Sequence, residues 1–294
     1  MPFPYIHEIQ ELTPAFREKL AGDFIALPNG YTHYELVGDK NAETVVLVHG
    51  FTVPNFIWEP TFRALTEAGY RVLRYDLFGR GYSDRPKATY TLNFFATQLH
   101  DLLNALHIIE PINLFGLSMG GPITASFTAQ HPERVKKLAL FAPAGAETLQ
   151  PPFIKLLQLP IVGDFLFGMF GAKRLLGGVA DDFYSLELVE KFTEKFKPQL
   201  KISGFGRAIL STMRNDALSE NRAVYERVAE TNIPVLLVWG EEDKTVPYTQ
   251  SVQMQASLKH ARFHAIPNGG HIPHYENAAE VNPIILDFLK SENS

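Results

Sequence analysis

A short motif around residue 118 constrains this sequence more than any other feature. Gly116, Ser118 and Gly120 occupy alternate positions between an apolar run at 111–115 and a helical pattern at 122–130. A chain that turns from strand to helix within so few residues holds the serine in a strained backbone conformation, with its hydroxyl exposed above the sheet. The flanking positions then have room only for glycine. The motif therefore predicts a nucleophilic serine at position 118.

Composition limits the classes of protein to be considered. The chain has 294 residues, of which 46% are hydrophobic, so it can bury a sizeable core in one large domain or two small ones. Its net charge of −5, without a block of lysine or arginine, argues against nucleic acid as the main partner. The absence of cysteine excludes disulfide bonds and thiolate chemistry but does not indicate a compartment.

The sequence gives no indication of secretion or of membrane insertion. Residues 1–8 lack the basic start and the apolar run of a signal peptide. The longest apolar stretch, residues 156–170, is interrupted by Pro160 and Asp164, so we expect no membrane span. The expected location is the cytoplasm.

Short apolar runs alternate with helical patterns along most of the chain. Most of these runs lack polar alternation, which is typical of strands covered on both faces of a sheet. The runs are 44–48, 72–75, 112–115, 135–141, 234–238 and 262–266. Helical patterns occur at 62–68, 92–106 and 278–289, and residues 22–27 and 32–37 suggest an antiparallel hairpin. The alternation predicts an α/β fold, with a mostly parallel central sheet flanked by helices.

The alternation stops between residues 145 and 229, where the pattern is helical and rich in apolar residues. We interpret residues 145–229 as an inserted helical cap, or lid, over the carboxyl ends of the strands, where open α/β sheets bind ligands. Residues 1–144 and 230–294 then form the core domain. An ordinary set of core helices is the alternative. Some cap side chains should line an acyl pocket that favours chains of roughly four to eight carbons. The candidates are Leu156, Leu157, Phe165, Phe167, Met169 and Phe170.

Two later loops supply the partners that a serine nucleophile needs. Serine requires an imidazole to take its proton and a carboxylate to orient that imidazole. Asp243 follows the predicted strand at 234–238, and His271 follows the strand at 262–266. Both are therefore expected at the same edge of the sheet as Ser118. We predict a catalytic triad of Ser118, Asp243 and His271.

Neighbouring residues are alternatives to two of these positions. Glu241 and Glu242 directly precede Asp243 and are expected to be solvated turn residues. His274 lies three residues after His271, a spacing that also suggests a metal site. The sequence has no His-Glu-x-x-His motif, so we expect neither a metal ion nor another cofactor.

Two backbone N–H groups are candidates for the oxyanion hole that acyl transfer requires. One belongs to Met119, at the start of the helix after Ser118. The other belongs to Phe51, in the loop after the strand at 44–48, where Gly50 permits a close backbone approach. We predict that Phe51 and Met119 supply the two donors.

Several of these motifs together resemble the α/β-hydrolase superfamily over essentially the whole chain. They are His49-Gly50-Phe51, Trp58-x-Pro60, Asp76–Pro86, the Gly-x-Ser-x-Gly motif, Trp239-Gly240-x-x-Asp243 and Gly270-His271. The resemblance implies the α/β-hydrolase fold, in the branch of serine carboxylesterases and lipase-like enzymes with a helical cap. It says little about the substrate, because this fold hosts many chemistries.

The residue at position 118 narrows the reactions that the resemblance allows. Haloalkane dehalogenases and epoxide hydrolases of the superfamily use aspartate there, so Ser118 disfavours both activities. The main expectation is hydrolysis of carboxylic esters with short to medium acyl chains, through an acyl-enzyme on a small-molecule substrate.

Three alternatives to an esterase stay open. Carbon–carbon bond hydrolases of ring-cleavage products often share Ser-Met-Gly-Gly, but they typically place glycine-serine where this chain has Phe51. Arg207 or Arg214 would be their carboxylate ligands, although a structural role is expected for both. Lactone hydrolysis uses the same chemistry, and some ligand sensors of the superfamily keep the triad but turn over slowly.

Overall fold

An eight-stranded sheet forms the centre of the molecule. The computed structural model describes residue 5, residues 7–147 and residues 152–291, without the side chains of residues 152 and 153. The strands are β1 (Asp23–Leu27), β2 (Gly30–Val37), β3 (Thr44–Val48), β4 (Arg71–Tyr75), β5 (Ile112–Leu117), β6 (Val135–Phe141), β7 (Val235–Gly240) and β8 (Arg262–Ile266). Their order in the sheet is β1-β2-β4-β3-β5-β6-β7-β8. Strand β2 pairs antiparallel with β1 and β4, and all other pairs are parallel.

Helices cover both faces of this sheet. They are α1 (Pro14–Arg17), α2 (Glu59–Glu67), α3 (Leu92–Ala105), α4 (Gly120–Gln130), α5 (Pro152–Gln158), α6 (Val162–Gly178), α7 (Val189–Phe196), α8 (Phe205–Met213), α9 (Arg222–Ala229), α10 (Gln250–Ser257), α11 (Pro273–Glu276) and α12 (Ala278–Lys290). Short 3-10 turns occupy Asn55–Trp58, Pro132–Arg134, Val179–Asp182, Leu186–Leu188, Lys197–Lys201 and Asp216–Leu218. In the described part of the chain, none of the helices is both long enough and apolar enough to cross a membrane. The predicted fold class, a mostly parallel sheet flanked by helices, is confirmed.

Strand β3 explains why the apolar runs lack polar alternation. All five of its residues are buried. Val46 and Val48 belong to a core that also contains residues of α3 and α4, whereas Val45 and Leu47 belong to a second core with residues of α2 and α12. Because successive side chains point to opposite faces, a strand covered by helices on both sides must be apolar at every position.

The helical segment between β6 and β7 contacts the rest of the chain at two unexpected places. Residues near the N-terminus pack against it: the Tyr5 hydroxyl donates to Asp164 Oδ1 (3.0 Å), and the Glu8 carboxylate accepts from the Gly204 and Gly206 N–H groups (2.6 Å each). At its other end, α9 packs against α4 and α10. The division into a core (1–144 and 230–294) and a cap (145–229) stays a prediction.

Candidate active site

Ser118 lies in the turn between the end of β5 and the start of α4. Its φ of 52° is in the left-handed region, which costs a non-glycine residue about 1–2 kcal/mol. The surrounding backbone holds it there, because its N–H donates to the Phe141 carbonyl (2.9 Å). Its own carbonyl accepts from the N–H groups of Gly121 (2.8 Å) and Ala144 (3.0 Å). The strained backbone that the motif predicts is therefore present at this residue.

The two glycines of the motif are required by close backbone packing. A Cβ atom on Gly116 would lie 2.5 Å from the carbonyl oxygen of Gly120 and 2.5 Å from Thr124 Oγ1. A Cβ atom on Gly120 would lie 2.4 Å from the carbonyl oxygen of Val48. Any side chain at either position would push the helix away from the sheet, so the turn around the serine needs glycine on both sides.

The structure brings His271 and Asp243 into direct contact on the loops after β8 and β7. His271 Nδ1 lies 2.8 Å from Asp243 Oδ2. The other carboxylate oxygen, Oδ1, accepts from the N–H groups of Thr245 and Val246, both at 2.8 Å. Because Nδ1 donates its proton to a carboxylate, the Nε2 atom of the imidazole carries the lone pair that a general base needs.

Glycine again lets the two loops meet. A Cβ atom on Gly240, at the end of β7, would lie 2.1 Å from the carbonyl oxygen of Gly270. The loops are therefore in backbone contact, and His271 follows directly after this contact. Asp243 is buried, whereas the alternative acids Glu241 and Glu242 are exposed to solvent. Of the three acids, it is Asp243 that hydrogen-bonds to the imidazole.

Charges around His271 favour its protonated form. Burial lowers the pKa of His271, but the charge of Asp243, the hydrogen bond to it and the charge of Asp182 raise the pKa, and the net shift is upward. The imidazolium that forms when a base takes a proton is stabilised by the same groups. The site is thus suited to remove a proton and to hold it for later transfer.

His274, the alternative histidine, lies inside the core. Its ring centroid is 4.3 Å from that of Trp58 and 5.5 Å from that of Phe141. Burial and the nearby charge of His271 lower the pKa of His274 to about 3, so the ring is neutral at physiological pH. Its surroundings are those of a packed aromatic side chain.

The loop after β3 passes beside Ser118. A Cβ atom on Gly50 would lie 3.2 Å from Ser118 Cβ and 3.7 Å from its Oγ. Among the residues that the structure describes, the N–H groups of Phe51 and Met119 donate no hydrogen bond to another protein atom. Free N–H groups next to the serine are the donors that an oxyanion hole requires.

His49 holds this loop in place through two hydrogen bonds of its ring. Its Nε2 accepts from the Leu77 N–H (2.9 Å), so its Nδ1 carries the proton and donates to the Gly50 carbonyl (2.9 Å). Burial lowers the pKa of His49 to about 4, so the ring stays neutral. The Gly50 carbonyl belongs to the same peptide group as the Phe51 N–H, which fixes the orientation of that donor.

An apolar cavity of about 470 Å³ adjoins these loops. Phe51 and Thr245 lie in its wall, and the helical segment supplies most of the remaining lining. Of the six predicted pocket residues, four line it: Leu156, Leu157, Phe167 and Phe170. A larger groove of about 1080 Å³ lies at the opposite, amino edge of the sheet, where Thr44 and Val135 begin their strands.

The other two candidates, Phe165 and Met169, do not line this cavity. Both side chains are 46% exposed and lie outside its wall, which Leu166 and Phe170 form instead. Phe165 and Met169 are four residues apart. Leu166 and Phe170 are also four residues apart, but each lies one position later in the helix. One position along a helix turns a side chain by about 100°, so the first pair faces outward and the second faces the cavity.

Asp182 contacts the candidate site, although no sequence pattern indicates it. It ends the 3-10 turn that follows α6, and its carbonyl accepts from the His271 N–H (2.9 Å). Its Oδ1 accepts from the Thr245 hydroxyl (2.6 Å), while the Thr245 N–H donates to Asp243. The helical segment is thus joined to both loops that carry the histidine and the acid. No local pattern could reveal this, because the contact joins segments distant in sequence.

Comparison with known proteins places this chain in a family. The family model Hydrolase_4, described as serine aminopeptidase, S33, matches residues 39–278. The chain belongs to this family, within the α/β-hydrolase superfamily. The family resemblance predicted from the motifs is therefore confirmed.

Relatives within the superfamily carry several different activities in their names. A 2-hydroxy-6-oxononadienedioate/2-hydroxy-6-oxononatrienedioate hydrolase of Paraburkholderia xenovorans is 28% identical over 297 residues, covering 94% of this chain and 97% of that protein. The structure of an enol-lactonase from Burkholderia xenovorans superposes with a TM-score of 0.79 at 23% identity, over 92% of this chain and 100% of the other. An esterase from Exiguobacterium antarcticum gives 0.79 at 21% identity, with the same coverage. The two structural likenesses show the shared fold.

Proposed function

We propose that this protein is a serine hydrolase that cleaves carboxylic esters through an acyl-enzyme. The observation that carries the proposal is the buried pair of His271 and Asp243, 2.8 Å apart, at the sheet edge where Ser118 has a φ of 52°. An oriented imidazole and a strained serine are two of the features that acyl transfer by a serine hydroxyl requires.

The proposed reaction uses each of these groups in turn. Ser118 Oγ attacks the ester carbonyl while His271 Nε2 takes its proton, and Asp243 stabilises the imidazolium. The N–H groups of Phe51 and Met119 hold the oxygen that becomes negative. His271 then gives its proton to the leaving alcohol, and afterwards it activates the water that hydrolyses the acyl-enzyme.

Arg207 and Arg214 are the two candidate ligands for the carboxylate of a ring-cleavage product. Their hydrogen-bond partners favour an ester as the substrate instead. Arg207 donates to the carbonyls of Arg85 (2.6 Å) and Pro86 (2.9 Å). Arg214 pairs with Asp164 (2.7 Å) and also donates to the Gln158 carbonyl (3.1 Å). Both guanidinium groups thus have protein partners, whereas a dioate substrate such as the one in the relative's name needs cations for its carboxylates. Arg174 also lies in the cavity wall, but most of that wall is apolar and is suited to a hydrocarbon chain.

We further propose that residues 145–229 act as a cap whose inner face binds this chain. Leu157, Leu166 and Phe170 line the cavity, and Phe51, the candidate oxyanion-hole donor, also lies in its wall. A largely apolar wall of this kind binds acyl chains through burial of their methylene groups.

The test compares Ser118→Ala with Ser126→Ala, a second serine on the helix after the motif. Ser118→Ala should keep the fold and lose turnover of p-nitrophenyl esters by a factor on the order of 10⁶, because the nucleophile is gone. Labelling by a fluorophosphonate probe should vanish with it, and Ser126→Ala should retain both. Persistent labelling of Ser118→Ala would refute the assignment.

The same assay should include substrates for the alternatives. A ring-cleavage dienoate, a lactone and an aminoacyl p-nitroanilide are presented beside the esters to the wild-type protein. The highest kcat/KM is expected for an ester. A higher value for one of the other three would replace ester hydrolysis by carbon–carbon, lactone or peptide hydrolysis with the same nucleophile.

A further inference from the structure

Arg80, in the loop after β4, is a fully buried cation. None of its surface is exposed. The guanidinium carbon lies 5.4 Å from the ring centroid of Phe51, 5.3 Å from that of Phe95 and 6.0 Å from that of Tyr90. The charge is thus surrounded by aromatic rings, an environment in which an ion loses its hydration.

Every hydrogen-bond acceptor of Arg80 is neutral. Nε donates to the Phe51 carbonyl (2.8 Å), Nη1 to the Phe78 carbonyl (3.2 Å) and Nη2 to Thr212 Oγ1 (2.8 Å). Within residues 7–147 and 152–291, Arg80 forms no ion pair with a carboxylate. Burial lowers the pKa of Arg80 to about 9, so the group still carries its charge at neutral pH.

A second buried arginine shows what a structural role looks like in this protein. Arg74 is also buried, but it pairs with Glu35 (2.9 Å) and with Glu59 (2.6 Å). A buried charge without an opposite charge is costly, whereas a paired one is partly compensated. The three hydrogen bonds of Arg80 explain a donor at this position, but none of its partners is negative, so they do not compensate its positive charge as the two glutamates compensate that of Arg74.

Phe51 connects this charge with the reaction centre. The Phe51 carbonyl accepts from Arg80 Nε. The N–H of the same residue lies beside Ser118 and has no protein acceptor. The next carbonyl, of Thr52, accepts from Gln199 Nε2 (2.8 Å), so the loop is held at two successive peptide groups. A negative oxygen formed next to the Phe51 N–H would therefore lie near a buried positive charge.

We propose that Arg80 is an electrostatic positioning residue of the oxyanion hole, whose charge and Nε–H together hold the Phe51 loop and stabilise the negative tetrahedral intermediate. This inference rests on the proposed ester hydrolysis. The intermediate places a negative charge beside the Phe51 N–H that bound substrate does not have there, so the stabilisation is larger in the transition state than with bound substrate. Loss of Arg80 should consequently lower kcat and leave KM nearly unchanged.

Three substitutions separate charge, hydrogen bond and packing. Arg80→Lys keeps the charge, Arg80→Gln keeps a donor without charge, and Arg80→Met keeps neither but suits the surrounding rings. Arg85→Gln is the matched control, because Arg85 lies in the same loop and donates to the carbonyls of Ser83 and Gly81, away from Phe51. Each variant is checked for folding by circular dichroism and thermal denaturation.

The measurements are kcat and KM for p-nitrophenyl butyrate and the affinity for butylboronic acid, whose adduct with a serine is tetrahedral and negative. Arg80→Gln and Arg80→Met should lose roughly 10- to 100-fold in kcat and a similar factor in boronate affinity, with KM changed less than about threefold. Arg80→Lys should retain at least about ten times the kcat of Arg80→Gln. If Arg80→Gln does not fold, the comparison of Arg80→Met with Arg80→Lys tests whether the charge stabilises the intermediate.

Two results would overturn the inference. Folded Arg80→Met with kcat and boronate affinity like those of Arg85→Gln would reduce Arg80 to a packing role. Equal kcat for Arg80→Lys and Arg80→Gln would assign the effect to the hydrogen bond alone. A wild-type protein that is inert on esters would instead refute the proposed function, and the boronate titration would still test the charge.

Discussion

The contrast between Phe170 and Met169 gives the sharpest test of the cavity. These are consecutive residues of α6, with 57% and 46% of their surfaces exposed, but only Phe170 lines the cavity. Phe170→Ala should flatten the dependence of kcat/KM on acyl chain length. Met169→Ala removes a side chain of similar exposure from the outer face, and it should leave that dependence unchanged.

The size of the effect follows from the area that a chain buries. Each buried methylene contributes about 0.8 kcal/mol, which is roughly fourfold in kcat/KM. From acetate to hexanoate, four methylenes give at most about 3 kcal/mol, or roughly 200-fold, and we expect the optimum at four to eight carbons. Since somewhat less than half of Phe170 is buried, its truncation should cost the longer chain about 1 kcal/mol, or roughly fivefold.

The assay measures kcat/KM for p-nitrophenyl esters from acetate to palmitate with the wild-type protein and both variants. The hexanoate-to-acetate ratio should fall about fivefold in Phe170→Ala, while acetate turnover and the melting temperature change little. A wild-type series that falls steadily from acetate onward would refute the reasoning, because the cavity would then not bind the acyl chain. An equal drop in Met169→Ala would show that the variants act through helix stability.

Three further predictions concern the acid, the pH dependence and metals. Asp243→Asn should keep the fold but lose on the order of 10⁴ in rate, because the His271 imidazole adopts the wrong tautomer. Glu242→Gln should lower the rate far less. If Glu242→Gln lost more than Asp243→Asn, Glu242 would be the catalytic acid. Because neutral His271 is the base and its pKa is raised, kcat/KM should fall with acidification at a higher pH than for an isolated imidazole. Asp182→Asn removes a charge that raises the pKa of His271, so the acidic fall of kcat/KM should move to lower pH. Asp181→Asn, at an exposed neighbour, should not move it. An unchanged pH profile in Asp182→Asn would refute the electrostatic effect of Asp182 on His271. EDTA should leave activity unchanged, and a loss that a divalent ion restores would contradict the metal-free mechanism.

The elements of the sheet could be predicted because their causes are local. Strands β3, β6 and β8 have the predicted limits, since each apolar run is bounded by residues that leave the sheet. The backbone of Ser118 could be predicted for the same reason: a strand that turns into a helix within three residues permits few conformations. Other limits shifted slightly, as where β7 ends at Gly240, because pairing with β8 continues beyond the apolar run.

The approach of Asp243 to His271 could also be predicted, because parallel strands place the loops at their carboxyl ends along one edge. In contrast, tertiary packing decided which side of α6 faces the cavity, since Met169 and Phe170 are both apolar and half-exposed. It also decided that the carbonyl of Asp182 meets His271 and that the unpaired charge of Arg80 meets Phe51. Such contacts join segments distant in sequence, and their formation depends on the packing of the whole chain, which no short pattern of residues records.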